Sequence, residues 1–416
     1  MFKSLLCPLR LFSSKHRFLL PIFIFLFACP LQAQQLGQSG YYNFKVGEMY
    51  FNLTGVFAIS YDSNVTNSGF IRKDDIILSP GIYLSGDWEA TNLNTLSLTL
   101  GIAYDEYLKN SELSSGNNFL AISPDSEVSF TVFVGDATFT FFERLSYSID
   151  GTNAFGLNPD GTVQENVADY GRFDNQFGVD IIWDLNDVQV GVGLARSDTI
   201  PTSSSFNFTE RTEYSATPFV EANVNPNLTL GARGSLGTNK YKTDFNNNST
   251  SFSLGPYIEW GFRPNWNLAA SFDYVWYNFD DDGRNRDSSN PNGLEYAVTL
   301  SNTPSLLFEH RVFATRELDF GFISNTTTIE TYGYGFDWQV ARRGVLQGSI
   351  SYQQGKDSGG LDPESYHIWA INPSFHYFFT SKFSAQLGYY YSMRSSNFAS
   401  RTYPEHVVRL TLYYDF

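Results

Sequence analysis

Apolar and polar residues alternate along most of this chain, and its end shows the pattern most clearly. From Val408 to Phe416 every second residue is apolar, and the residues between them are mostly polar. A period of two is typical of a β-strand with one apolar and one polar face. The chain therefore ends inside a predicted strand, residues 403–416.

The same alternation recurs in a repeated hairpin. Six segments carry one proline on the apolar face of a strand, and a short turn and an alternating return strand follow most of them. The prolines are Pro80, Pro124, Pro218, Pro256, Pro304 and Pro373. Proline donates no backbone hydrogen bond, so within a strand it usually marks an edge or a bulge. We interpret the six as bulges that set strand curvature.

Two further hairpins lack the proline, at 177–195 and 332–352. Eight hairpins, an opening strand at 50–61 and the closing strand predict eighteen antiparallel strands. The pattern is weakest over 300–323, and sixteen strands result if that hairpin is removed. Predicted turns, such as 86–92 and 263–266, alternate with long polar loops, such as 150–169, 196–210 and 278–293.

A sheet of this size could form a soluble β-sandwich or β-helix, or a barrel that crosses a membrane. A closed barrel is the only sheet that can span lipid, because it leaves no unpaired edge. Alternating segments of about ten residues between turns and longer loops are typical of that barrel. We therefore predict an all-β transmembrane antiparallel β-barrel over 49–416, with short periplasmic turns and long extracellular loops.

The amino-terminus predicts export. Residues 1–33 combine four basic residues, an apolar run and a small residue before the expected cut, which is the order of a cleaved signal peptide. A lipoprotein cleavage box ending at Cys29 is the weaker alternative. Residues 34–48 would then form a short periplasmic segment. No later apolar run is long enough for a transmembrane helix.

Charge and cysteine content agree with an exported protein. Both cysteines, Cys7 and Cys29, lie in the predicted signal peptide, so the mature chain would contain no disulfide. Its 23 basic residues against 43 acidic residues give a net charge of −20. We therefore expect no nucleic acid as a partner.

Two stretches carry a family resemblance. YDSNVTNS at 61–68, followed by DDIILSPGIYLSGDW at 74–88, resembles the opening hairpin of the β-barrel porin 2 family of Gram-negative outer-membrane proteins. The close likeness covers about thirty residues and implies a barrel in the cell outer membrane. The last strand also resembles the C-terminal assembly signal of such barrels, and its residues are Leu410, Leu412, Tyr414 and Phe416. The resemblance implies no particular substrate.

Strand parity predicts which charged side chains line the lumen. The pore-lining candidates are Asp105, Asp174, Asp180, Glu221, Arg233, Glu259, Asp273, Asp337 and Arg409. Seven acids against two bases suggest a lumen that favours cations, since carboxylate rings attract them. The simpler interpretation is that these charges only solvate a wide pore.

Parity also places aromatic residues inside, namely Tyr83, Phe142, Phe219, Tyr257, Tyr277, Tyr390 and Tyr413. A sugar-binding track is one interpretation, and packing against the wall is the simpler one. The loop at 278–287 resembles half of a calcium loop, but an acidic solvated tip explains it as well. The histidines His310, His367, His376 and His406 show no metal spacing and no nucleophile–base pair, so we expect no enzyme, no metal and no cofactor.

The function predicted from sequence is passive diffusion of small hydrophilic solutes through a porin-like channel. Two alternatives are an outer-membrane conduit for exopolysaccharide export and a structural or adhesive surface barrel without an open pore. The expected partners are outer-membrane lipid, lipopolysaccharide and the barrel-assembly machinery, with a homotrimer as a further possibility from symmetry.

Overall fold

Eighteen antiparallel strands close into one barrel in the computed structural model of the chain. The strands are β1 (Met49–Asp62), β2 (Asp75–Thr91), β3 (Asn94–Ala103), β4 (Glu127–Val134), β5 (Ala137–Asp150), β6 (Tyr170–Asp184), β7 (Val188–Pro201), β8 (Arg211–Asn225), β9 (Leu228–Tyr241), β10 (Ser249–Arg263), β11 (Trp266–Phe279), β12 (Asn292–Ser305), β13 (Phe308–Phe320), β14 (Thr326–Ala341), β15 (Gly344–Asp357), β16 (Ser365–Ile371 and Ser374–Phe378), β17 (Phe383–Ser396) and β18 (Tyr403–Asp415). The predicted closed antiparallel β-barrel and the larger of the two strand counts are confirmed.

The structure describes residues 42–114, 120–150, 154–157, 163–167 and 170–416. The predicted signal peptide and most of the predicted periplasmic segment lie outside these ranges. Part of the long loop predicted at 150–169 does as well. Within that loop, Ala154–Leu157 pairs with Val163–Val167. No helix in the described part of the chain is long and apolar enough to cross a membrane.

The last strand closes the barrel against the first. The β1–β18 ladder runs from Thr54 opposite Asp415 to Asp62 opposite Val407. The Thr54 hydroxyl donates to the Asp415 carboxylate at 2.7 Å. The backbone N–H of Phe416 donates to the Leu53 carbonyl at 3.1 Å. The alternating pattern continues to the last residues because those residues form the closing strand.

A short strand, Phe44–Val46, pairs with the first residues of β1, which extend beyond the end of β18. The hairpin turns at Gly47, whose φ of 63° is favourable for glycine. This strand occupies an edge of β1 that β18 leaves unpaired, and an unpaired edge would be a site for aggregation.

The two faces of the sheet differ as the alternation predicts. On β1 the side chains of Phe57, Ile59 and Tyr61 are exposed, whereas Ser60 and Asp62 between and beyond them are buried. The same division holds on β11, where Phe272, Tyr274 and Trp276 are exposed and Asp273 is buried. The apolar face is therefore the outer face of the barrel, and the polar, shielded face is the inner one.

The proline interpretation is correct at two positions and wrong at four. Near Pro124 the register shifts by two residues between the pairing of β3 with Ala121–Ile122 and its pairing with β4. Near Pro304 the β12–β13 register shifts by one residue. At Pro80, Pro218, Pro256 and Pro373 the register is the same on both sides of the proline. These four prolines interrupt the hydrogen-bond ladder without a bulge, because each removes only an N–H donor.

Short turns lie at one end of the barrel and long loops at the other. Several predicted boundaries were wrong, and two of them lie in β2 and β7. β2 continues to Thr91, so the turn expected at 86–92 is limited to the residues just after it. β7 continues to Pro201, which places residues 196–200 in a strand where a loop was predicted. A short 3₁₀ helix, Ser204–Thr209, follows in the actual loop.

Candidate functional site

An ion pair on the inner face joins two predicted lumen residues across an intervening strand. Arg233 on β9 binds Asp273 on β11 through Nε, at 3.2 and 3.1 Å from its two oxygens, and through Nη2 at 2.5 Å. Nη2 also donates to Ser271 at 3.1 Å. Gly255 on β10 lies between them, and a Cβ there would come within 2.6 Å of an Asp273 carboxylate oxygen. The absence of a side chain at Gly255 therefore makes this contact possible.

The same device recurs with aromatic rings, in what we term the aromatic–glycine pairs. On the inner face a ring lies over a glycine of the neighbouring strand, so a Cβ there would overlap the ring. The pairs are Tyr83 over Gly101, Phe142 over Gly178, Phe219 over Gly191, Tyr257 over Gly231, Phe313 over Gly333 and Tyr366 over Gly355. Four of the seven aromatic residues predicted to face inward belong to these pairs, so they pack against the wall.

The remaining predicted lumen residues have separate hydrogen-bond partners along the wall. Asp174 accepts hydrogen bonds from Arg172 at 2.7 Å and Thr199 at 2.9 Å. Asp337 accepts from Arg311 at 3.3 Å and from Gln347 at 2.5 Å.

Glu221 accepts a hydrogen bond from the Tyr257 hydroxyl at 2.8 Å. Asp105 bonds the Ser79 hydroxyl. Asp180 lies next to Gly193 of β7. By strand parity, Glu259 lies on the inner face of β10 and Arg409 lies on the inner face of β18. Most of these charges thus hold the wall together, and their role in lining a pore stays a prediction.

Sequence analysis missed several inner-face acids, among them Glu213, Glu295, Glu317 and Asp319. Glu295 is directly opposite Asp273 on the neighbouring strand and accepts the Leu318 N–H at 3.0 Å. Glu317 and Asp319 follow on β13. Strand parity could have identified all four. Glu213 was missed because the pattern in β8 was read as beginning at residue 215, and Glu317 and Asp319 because the pattern was unclear over 300–323.

Five long loops pack together beyond the strand ends, and we term them the loop cap. The cap comprises residues 202–210, 242–248, 280–291, 321–325 and 358–364. Its apolar centre contains Phe206, Phe208, Phe245 and Ile323, all buried. The Phe208 ring contacts Phe245 at 5.2 Å and Phe322 at 5.1 Å between centroids, both edge to face. Burial of these rings stabilises the loops against one another.

Polar side chains fix the loop cap around one carboxylate. Asp287, 3% exposed, accepts the Asn325 N–H at 2.8 Å and the Ser358 hydroxyl at 2.6 Å. It also accepts the N–H and hydroxyl of Ser289. Burial alone would raise the pKa of Asp287, but these donors outweigh it and hold that pKa below its usual value. The carboxylate therefore joins three loops in its charged form.

A second charged cluster lies at the border of the loop cap. Glu364 binds Arg394 at 2.8 Å, Arg401 at a shorter distance and the Ser396 hydroxyl at 2.6 Å. Burial raises the pKa of Glu364, and the two arginines lower it by more. This cluster ties the 358–364 loop to β17 and to the loop before β18.

The loop cap extends across the mouth of the barrel. Phe206 and Phe322 are 6.1 Å apart between ring centroids, yet their loops follow β7 and β13. Six strands at about 4.8 Å spacing correspond to about 30 Å of barrel wall. The two loops therefore meet across the strands that separate them, and the cap covers part of the long-loop end of the barrel.

Among the described residues, no group of three or more His, Cys, Asp or Glu side chains is placed to hold a metal ion. In the loop at 278–287, Asp280, Asp281 and Asp282 are exposed. The histidines lie on three strands, where four were expected, because His367 and His376 both belong to β16. His367 bonds the Tyr352 hydroxyl at 2.8 Å and His406 bonds the Tyr389 hydroxyl at 2.9 Å.

Several solved barrels are similar in fold to this chain. A BenF-like porin from Pseudomonas fluorescens Pf-5 matches 89% of this chain and 99% of its own, at a TM-score of 0.52 and 10% identity. OccAB3 of Acinetobacter baumannii matches 89% of this chain and 100% of its own, at a TM-score of 0.51 and 9% identity. OccK2 (OpdF) of Pseudomonas aeruginosa was solved in complex with glucuronate. It matches 89% of this chain and 98% of its own, at a TM-score of 0.50 and 11% identity. At such identities the likeness shows the fold alone.

No protein-family model and no curated protein matches the sequence. The resemblance to the β-barrel porin 2 family therefore stays a prediction.

Proposed function

We propose that this chain is a porin-like channel of the bacterial outer membrane, through which small hydrophilic solutes diffuse passively. The observation that carries the proposal is the closed barrel with an apolar outer face and a polar, charged inner face. Such a barrel satisfies its backbone hydrogen bonds in lipid and keeps water inside. The barrels with a similar fold include one described as a porin, which supports this function.

The dimensions of the outer face support a membrane location. Trp266 and Trp276 lie on the outer face of β11, ten residues apart. Ten residues span about 34 Å along a strand, and a tilt of about 40° reduces this to about 26 Å of height. The apolar band of outer-membrane barrels is about 25 Å tall with aromatic residues at both borders. The two tryptophans thus fit its two interfaces.

The proposal includes an export route taken from the sequence. A signal peptide at 1–33 is cleaved, and residues 34–48 stay in the periplasm. The barrel-assembly machinery recognises the strand that ends at Phe416. In support, Leu410, Tyr414 and Phe416 are exposed on the outer face, where another protein could bind them before closure. Contact with lipopolysaccharide and a homotrimer are further proposals from the sequence.

Single-channel recording tests the channel. The purified full chain is inserted into a planar lipid bilayer, and steady conductance that rises with salt concentration is expected. A silent protein that is folded and inserted would overturn the proposal.

One observation favours a second function. The loop cap is packed around a buried core and joins loops that lie far apart along the rim, as expected for a surface barrel whose lumen is closed. Replacing the cap loops by short turns distinguishes the two. A channel that conducts with the cap in place supports diffusion, whereas conduction only after its removal supports the surface barrel.

A further inference from the structure

The aromatic–glycine pairs give the lumen wall a specific chemistry. Each ring stands over the backbone of the adjacent strand, so one side of it is in contact with the wall. Tyr83, Phe219, Tyr257 and Phe313 each remain partly exposed. Apolar ring surface is therefore present on a wall that is otherwise polar.

Guanidinium groups cover two of the six rings. Arg144 lies 4.4 Å from the Phe142 ring centroid, and Arg394 lies 3.9 Å from that of Tyr366. Both are close enough for a cation–π interaction, which leaves less of these rings for a solute.

Two of the other pairs are neighbours on β7 to β10. Phe219 and Glu221 are two residues apart on the inner face of β8, and Tyr257 reaches Glu221 across Gly231. Arg233 is directly opposite Phe219, and Glu259 follows Tyr257 on β10. Two rings thus lie within a border of carboxylates and one guanidinium, and we term these five residues the ring site.

The charges of the ring site are already partly compensated. Arg233 is held by Asp273, and Glu221 accepts a hydrogen bond from the Tyr257 hydroxyl. An anionic solute would gain little from a guanidinium that Asp273 already neutralises, and it would meet the carboxylates of Glu221 and Glu259. A neutral solute with hydroxyl groups can still use their remaining lone pairs and N–H groups. Apolar ring faces on the solute would add stacking on Phe219 and Tyr257.

We propose that the ring site binds the pyranose ring of a neutral saccharide. The C–H faces of the sugar stack on Tyr257 and Phe219, and its hydroxyls bond Glu221, Glu259 and Arg233. This inference rests on the proposed function, because it requires that a solute can reach the lumen, and it names the solute class.

Current block by a saccharide tests the inference. The full chain is reconstituted in a planar bilayer, and maltotriose is added with sorbitol as a polyol that has no ring. Maltotriose should interrupt the ion current in a saturable way, and sorbitol should not. Tyr257→Ala should weaken the maltotriose block about five- to tenfold, as expected for the loss of one stacking surface. Tyr257→Phe keeps the ring and should stay within about twofold of the wild type.

Tyr274→Ala is the matched control, because Tyr274 is an aromatic residue on the outer face of a neighbouring strand. It should leave the block unchanged. Equal block by sorbitol, an unchanged block in Tyr257→Ala, or an equal loss in Tyr257→Phe would each overturn the inference.

Calorimetric titration of the detergent-solubilised barrel separates this inference from the channel function. Maltotriose binding that is lost in Tyr257→Ala would support the ring site even for a barrel that conducts no current. A conducting barrel that neither binds nor is blocked by maltotriose would overturn the ring site and leave the channel function standing.

Discussion

Single residues on the inner face determine which strands are joined by side-chain contacts. A side chain normally contacts its direct neighbours on adjacent strands. Arg233 reaches two strands away because Gly255 has no side chain, and Tyr257 reaches Glu221 across Gly231 in the same way. These glycines make room for long side chains, and their exchange should have consequences that their conformational freedom alone would not predict.

Gly255→Ala should destabilise the barrel by about 1–3 kcal/mol, the usual range for an overpacked site. The new methyl group would collide with the Phe272 carbonyl and displace Asp273 from Arg233. The measurement is the urea or heat midpoint of the folded barrel. Gly293→Ala on the inner face of β12 is the control, since its Cβ would meet no atom closer than 3.7 Å. Equal midpoints for the two variants would contradict this account.

At the scale of elements, alternation was enough to predict the strands and their faces. The strand ends were harder, because Arg196 and Asp198 on β7 are polar residues that read as loop although they pair with β8. Position along the wall follows from register, which no local pattern encodes. This is why Asp273 and Arg233 were both predicted to face inward, but the contact between them was not predicted. The loop cap could not be predicted, since its contacts join loops that are distant in sequence.

Asp287→Ala should loosen the loop cap by about 1–3 kcal/mol, because it leaves buried donors of Ser358 and Asn325 without their acceptor. Trypsin cleavage after the exposed Arg284 and Arg286 should become faster. The exposed Asp281→Asn in the same loop is the control and should change nothing. If Asp287→Ala is cleaved no faster than that control, the carboxylate does not hold the cap.

Acid should have the same effect on the loop cap. Because the pKa of Asp287 in the folded protein lies below the unfolded value of about 3.9, its stabilisation is complete at higher pH. It is lost as the pH falls through the lowered pKa. Hydrogen exchange of the 321–325 loop should therefore accelerate in strong acid in the wild type and much less in Asp287→Ala.

For the whole molecule, the balance of inner-face charge bears on ion selectivity. Several inner arginines are held by acids, as in the Arg144–Glu127 and Arg311–Asp337 pairs. Glu259 and Glu309, both exposed on the inner face, add carboxylates to a chain with an acidic balance. The lumen should therefore prefer cations, since fixed carboxylates attract them.

Reversal potentials in a salt gradient measure this preference. The wild-type channel should favour cations, and the double variant Glu259→Gln, Glu309→Gln should shift the reversal potential towards zero. Glu143→Gln removes the same kind of charge from the outer face and should leave the potential unchanged. Anion preference in the wild type would contradict the proposed charge effect.

The pairing of β1 with β18 also constrains how the molecule forms. The Thr54–Asp415 contact joins residues 361 positions apart in sequence, so the ring is completed by its least local interaction. Every growing intermediate that lacks β18 keeps a free edge on β1, ready to recruit a foreign strand. Newly synthesised chains should therefore depend on chaperones until the residues of β18 can pair with β1. Chains truncated before β18 should aggregate and should not form smaller barrels.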